Sequence, residues 1–120
     1  MALTIYERTG GFPKVRKVVS AFYEEVLDSD ILAHHFEEVD MQRLIEHQTR
    51  FFSFLMGGPA SYSEDHIQRV HARLRITHPE FEEMAALLCE TLEDFDVAAD
   101  DVATVDRELR KREHIVVTVK

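Results

Sequence analysis

The sequence has no tryptophan, one cysteine, four glycines and three prolines in 120 residues. A lone cysteine, Cys89, cannot close an internal disulfide. That excludes a disulfide-built scaffold and agrees with a reducing cytoplasm. So little glycine and proline argues against many short strands joined by tight turns and favours helices. No apolar run approaches the roughly 18 residues of a membrane span. Met1 to Gly10 lacks the basic stretch and apolar run of a secretory leader. Basic residues are outnumbered, 14 Lys and Arg against 23 Asp and Glu, for a formal net charge of −9. This argues against nucleic acid or an anionic membrane as the main partner. There is no HExxH and no cysteine cluster, so no zinc site is expected. No motif pairs a nucleophile with a base, and no glycine-rich loop suggests phosphate binding. The expectation is a soluble cytoplasmic protein.

What is present is apolar periodicity. Hydrophobic residues make up 45% of the chain, enough for a real core. The length predicts one domain over 1–120. Pro13 suits a helix start, where its missing N–H costs nothing. After it Val15, Val18, Val19, Phe22, Tyr23, Val26 and Leu27 recur by threes and fours, one face of an amphipathic helix. Ile31 to Phe36 predicts one or two further turns. Asp40 then caps a helix whose buried stripe reads Met41, Leu44, Ile45, Gln48, Phe52 and Leu55. A glutamine in that stripe is unusual. Gly57, Gly58 and Pro59 end the helix.

Ser63 starts another helix, with Ile67, Val70, His71 and Leu74 on one face. Thr77 and Glu80 have capping-box spacing, with Pro79 in the first turn. Phe81, Met84, Ala85, Leu88, Leu92 and Phe95 carry that helix's core face. Asp100 or Asp101 caps a last helix through Val102, Val105 and Leu109. The tail Ile115–Val119 is β-like by propensity and is expected to fray or pack loosely. The four glycines form two pairs, Gly10-Gly11 and Gly57-Gly58, which permit sharp reversals. The fold class is therefore all-α.

One ordered set of residues resembles the truncated haemoglobins, in particular the group 1 cyanobacterial and mycobacterial type. It runs from Ile5-Tyr6-Glu7 and Gly10-Gly11 through Phe22-Tyr23 and Phe36. It continues with Leu44, His47-Gln48 and Phe51-Phe52, then Gly57-Gly58-Pro59 with Tyr62, and closes with Val70-His71, Leu74, Ile76 and Phe81. The resemblance implies a two-over-two helical sandwich that holds haem b. It implies a diatomic gas, oxygen or nitric oxide, as ligand, and admits a redox partner. Any catalysis would be haem chemistry, such as nitric oxide dioxygenation or peroxidase-like turnover. Tyr23 matches a distal tyrosine, Gln48 a distal glutamine, and His47 a position that binds iron in cyanobacterial relatives. The pocket residues implied are Tyr23, Phe36, His47, Gln48, Phe51, Phe52, His71, Phe81 and Met84. His71 also reads as a core histidine on an apolar face.

The resemblance also implies a proximal histidine just before Phe81, and Glu80 stands there. A carboxylate is a hard, charged substitute for imidazole. His78 lies two residues earlier, about 200° away around a helix, so it would need a register shift to take over. Three haem arrangements follow: His78 proximal with His47 distal, His47 alone, or weak ligation by Glu80. The alternatives are a globin-fold binding or sensing module without stable haem, and a carrier of a bilin or other tetrapyrrole. His34 and His35, as neighbours, are expected to point different ways and not to form a metal pair. Cys89 reads as a small buried hydrophobe.

Overall fold

The computed structural model describes residues 3–59 and 75–117. The expected helix from Ser63, with Tyr62, His66 and His71, lies outside the described residues, as do the last positions of the tail. Among the described residues every regular element is helical.

A short first helix, α1 (Ile5–Thr9), is opened by Thr4 and Glu7, which form a capping box. Gly10 closes it at φ 117 and also serves as N-cap of α2 (Gly11–Leu27). That left-handed backbone is where an L side chain is strained, and a Cβ on Gly10 would lie 3.0 Å from Lys14 Cβ. The reversal thus depends on the glycine. Val15, Val18, Val19, Phe22, Tyr23 and Val26 are buried along α2, as their spacing predicts. Leu27 is an exception at 42% exposed, because the helix ends there and the chain turns away.

A 3-10 turn, Ala33–Phe36, leads to α3 (Met41–Leu55), which Asp40 caps by accepting from the Arg43 N–H. The stripe on α3 is wider than the apolar pattern suggests. Thr49 and Ser53 are buried with Phe51, Phe52 and Leu55. Each hydroxyl donates to the carbonyl four residues back, at 2.6 and 2.7 Å, so burial leaves neither unsatisfied. At the far end Gly57 adopts φ 83, and Gly58 packs under the Tyr6 ring. A Cβ on Gly58 would come within 2.7 Å of that ring and 2.9 Å of the Ser53 carbonyl oxygen.

Helix α4 (His78–Asp94) begins with the Thr77–Glu80 capping box. It buries Phe81, Ala85, Leu88 and Leu92 in the core. Helix α5 (Ala99–Arg110) departs from expectation at its start. Ala98 is the N-cap and makes no side-chain cap, while Asp100 and Asp101 sit inside the first turn. They favour the positive helix end from there, and Asp101 pairs with Arg8 at 2.6 Å. The tail also departs. Residues Glu113–Val116 form a helical turn, α6, and Ile115, Val116 and Val117 are buried. Packing against the core overrides their β propensity.

Helix α2 packs against both α3 and α4, and α5 covers α4. Phe22 and Phe81, essentially fully buried, lie at the centre; each contributes about 1.5–3 kcal/mol by leaving water. No described helix is long and apolar enough to cross a membrane.

Candidate functional site

Where α2, the 3-10 turn, α3 and the start of α4 approach one another they leave a cleft of about 700 Å³, counted out to its open mouth. Helix α2 contributes Phe22, Tyr23 and Val26, and the turn region Leu32, His35 and Phe36. Helix α3 contributes Leu44, His47 and Gln48; Ile76 and the first turns of α4, with Glu80, Phe81 and Met84, close the other side. The walls are mostly aliphatic and aromatic, with a few polar groups.

One polar group is the pair Tyr23 and Gln48. The Gln48 amide donates to the Tyr23 phenolic oxygen at 3.1 Å. This accounts for the glutamine in an apolar stripe: it crosses from α3 to α2 to meet the hydroxyl. Because the tyrosine oxygen accepts in this bond, its own O–H remains a donor. Burial pushes the Tyr23 hydroxyl up to about 12, against the opposing effect of the Gln48 bond. The group is therefore a neutral donor at physiological pH. Edge-to-face contacts with Phe22, at 4.9 Å, and Phe36, at 5.8 Å, fix the ring. His47 lies beside Gln48 on the same wall and is half-buried.

The other polar group is Glu80. Its Oε1 accepts from the Thr77 N–H at 2.9 Å and the Thr77 hydroxyl at 3.0 Å. Its Oε2 lies 2.7 Å from His35 Nε2 and 3.0 Å from His34 Nε2. Burial alone would raise its pKa, but the bonds from Thr77, His35 and His34 outweigh burial and hold it down to about 2.

Of the residues expected to form the pocket, Tyr23, Phe36, His47, Gln48, Phe81 and Met84 line the cleft. Phe51 and Phe52 do not. They are buried in the core behind it, where Phe52 meets Phe22 edge-on at 6.0 Å. His71 lies outside the described residues. His78, expected as a candidate iron ligand, does not line the cleft. It is 59% exposed, 3.6 Å from Glu82 and 3.3 Å from Glu113, because the first turn of α4 turns it outward. The residues that sequence reasoning overlooked are His35 and Glu80 as a bonded wall. The capping-box spacing was a signal for Glu80; nothing local marks its two histidine partners. Cys89 is half-buried, and its thiol is raised to about 11 by burial and the nearby Asp106. It is a weak nucleophile.

A small all-helical protein with an apolar cleft, an imidazole and a tyrosine–glutamine pair has the design of a small globin. Residues 4–117 match the bacterial-like globin family, and the chain belongs to it. It is 34% identical over 106 residues to the group 1 truncated haemoglobin GlbN of Synechocystis sp., covering 85% of this chain and 86% of that one. It is 30% identical over 111 residues to a group 1 truncated haemoglobin of Tetrahymena pyriformis, covering 90% and 92%. The fold superposes on the crystal structure of truncated haemoglobin from Tetrahymena pyriformis in its Fe(III) form. The TM-score is 0.85 at 25% identity, covering 98% of this chain and all of that one. The 2/2 haemoglobin of Synechococcus sp., solved with covalently attached haem, matches in fold with a TM-score of 0.84 at 24% identity, covering 96% and 98%. The architecture is thus the two-over-two helical arrangement of truncated globins.

Proposed function

We propose that the chain binds haem b in the cleft between α3 and α4, and that its ligand is a diatomic gas, oxygen or nitric oxide. The observation that carries this reading is the Gln48–Tyr23 bond beside His47 on an otherwise apolar wall. The cleft fits a flat apolar macrocycle: Phe36, Phe81, Met84 and Leu44 offer dry contact surface. Haem, when bound, supplies an iron that takes a small gas. Tyr23 then donates a hydrogen bond to the polar end of that ligand, and Gln48 holds the phenol in place. The aromatic walls exclude water, which strengthens that single bond.

The residues that would hold the iron are proposed from their place on the cleft wall and in the sequence. His35 and Glu80 are bonded to each other, and His78 faces outward. His47, the wall imidazole on α3, would hold the iron from the Tyr23 side in the absence of gas, and a diatomic ligand would have to displace it. His71, outside the described residues, would be the second histidine to hold the iron, proposed from sequence alone. It is a histidine of the segment between α3 and α4, and it shares an apolar sequence face with Ile67, Val70 and Leu74. Glu80 needs no role on iron, because helix capping and two histidines occupy it fully.

Haem added to the purified chain should give a strong Soret band that survives gel filtration; no band after reconstitution overturns the haem reading. His71→Ala should lose most haem affinity, and His47→Ala should keep haem but change the ferric spectrum. His78→Ala should change neither. An unaltered spectrum and affinity in His71→Ala would remove that assignment while leaving haem binding intact.

A further inference from the structure

Adjacent histidines on a helix ordinarily diverge, yet His34 and His35 converge. Their ring centroids are 4.0 Å apart with planes inclined at 37°. Both Nε2 atoms approach the same oxygen of Glu80, forty-six and forty-five residues away in sequence, at 3.0 and 2.7 Å. The three atoms lie within 4.8 Å of one another. We propose that His34, His35 and Glu80 form a binding site for a divalent transition-metal ion of the zinc class, on the rim of the cleft and distinct from any iron inside it.

The spacing suits such an ion. Ligand atoms each about 2.0–2.1 Å from a metal lie about 2.9–3.4 Å apart, depending on whether they subtend a right or a tetrahedral angle. The observed nitrogen–oxygen separations need only a slight opening. Two imidazoles with one carboxylate favour zinc, nickel or copper over calcium or magnesium, which prefer all-oxygen shells. On binding, each imidazole gives up the Nε2 proton that now faces Glu80, releasing it to solvent or shifting it to Nδ1, and presents the Nε2 lone pair to the metal. The metal then takes the place of the hydrogen bonds that now join the rings to Glu80.

The carboxylate is already oriented for this. Oε1 is held by the Thr77 N–H and hydroxyl, so Oε2 is fixed toward the histidines. Outer bonds of that kind position ligands in established metal sites. Access is also provided. The His34 side chain is 56% exposed, whereas those of His35 and Glu80 are 10% and 11% exposed. An ion arriving from solvent meets His34 first, and fourth-position water stays on that side. A second cluster, His78 with Glu82 and Glu113, is a poorer site. It has one imidazole, and Glu82 is committed to a two-bond pair with Arg110 at 2.7 and 3.1 Å.

The site does not depend on the haem reading and is tested apart from it. Zn²⁺ is titrated calorimetrically into the full chain both without and with added haem, alongside His34→Ala, His35→Ala, His47→Ala and His78→Ala. The expected result is one site of micromolar or tighter affinity, weakened at least about tenfold in His34→Ala and in His35→Ala. His78→Ala and His47→Ala should retain it. Binding no tighter than millimolar overturns the proposal. So does undiminished affinity in His34→Ala, or loss confined to His78→Ala or His47→Ala. His34 is exposed, so its alanine variant should fold; an unchanged circular dichroism spectrum checks this.

Discussion

Tyr23 and Glu80 face the same cleft, and burial pushes both toward their neutral forms, yet they end in opposite states. Tyr23 accepts one side-chain bond, from Gln48, and that bond does not offset burial; its pKa rises to about 12. Glu80 has bonds to both of its oxygens, and together they hold it down to about 2. The number of donors decides the outcome. The consequence for each wall differs. The α2–α3 wall keeps a donor for a ligand, whereas the α4 wall has spent its acceptors on itself. The first is suited to recognition and the second to fixing the chain.

That contrast can be broken by substitution. The largest effect is expected from Glu80→Ala, which removes a helix cap and leaves two histidines without their carboxylate. A loss of about 2–4 kcal/mol in unfolding free energy by denaturant titration is expected, with little change in gas dissociation. A fast-dissociating but fully stable Glu80→Ala protein would invert the assignment of the two walls. Tyr23→Phe should do the opposite. Gas dissociation should accelerate about tenfold, as loss of one hydrogen bond predicts, with only a small change in stability. Flash photolysis of the haem-loaded protein measures it, and an unchanged rate would show that the hydroxyl does not reach the ligand.

Acid sharpens the same comparison. Because the folded Glu80 carboxyl titrates near 2 and its ordinary value is 4.5, its contribution is complete above the upper value and is lost as pH falls toward the lower. Glu80→Gln should therefore be less stable than the parent at neutral pH, and the gap should narrow between those two values. A gap that stays constant down to pH 2 would mean the carboxylate charge is immaterial. The smallest effect is expected for Thr77→Ala, which loses the cap but leaves both histidines on Glu80. About 1 kcal/mol is expected, read as a modest fall in melting temperature.

Much of the fold was legible because helices repeat locally. The stripe on α2 and the Thr77–Glu80 cap needed nothing beyond sequence spacing. So did the odd position of Gln48, whose burial required a partner. The departures share one cause. At α5 the sequence offers two good capping aspartates, but the helix begins earlier, and Asp101 is drawn to Arg8 on the first helix. At the tail, β-branched residues are folded into a helical turn because the core accepts Ile115, Val116 and Val117. At His34 and His35, the converging geometry is set by Glu80 on another helix. Tertiary partners decided each case, and no local pattern reports them. The same limit applies to the site: Tyr23, His47 and Gln48 were recognisable as cleft residues, but the placement of His78 outside the cleft depended on how α4 is rotated.

The contact of Gly58 with Tyr6 has a consequence for the order in which the chain is made. The ring of Tyr6 rests where any larger residue at position 58 would collide with it, and the Tyr6 N–H donates to the Met56 carbonyl at 3.0 Å. The first helix is synthesised before the end of α3, so the part of its resting place made by Met56 and Gly58 does not exist until some fifty residues later. Until then α1 has only α2 to pack against. Fusions that stiffen or bury the N-terminus should therefore lower the yield of folded protein more than equal additions placed elsewhere.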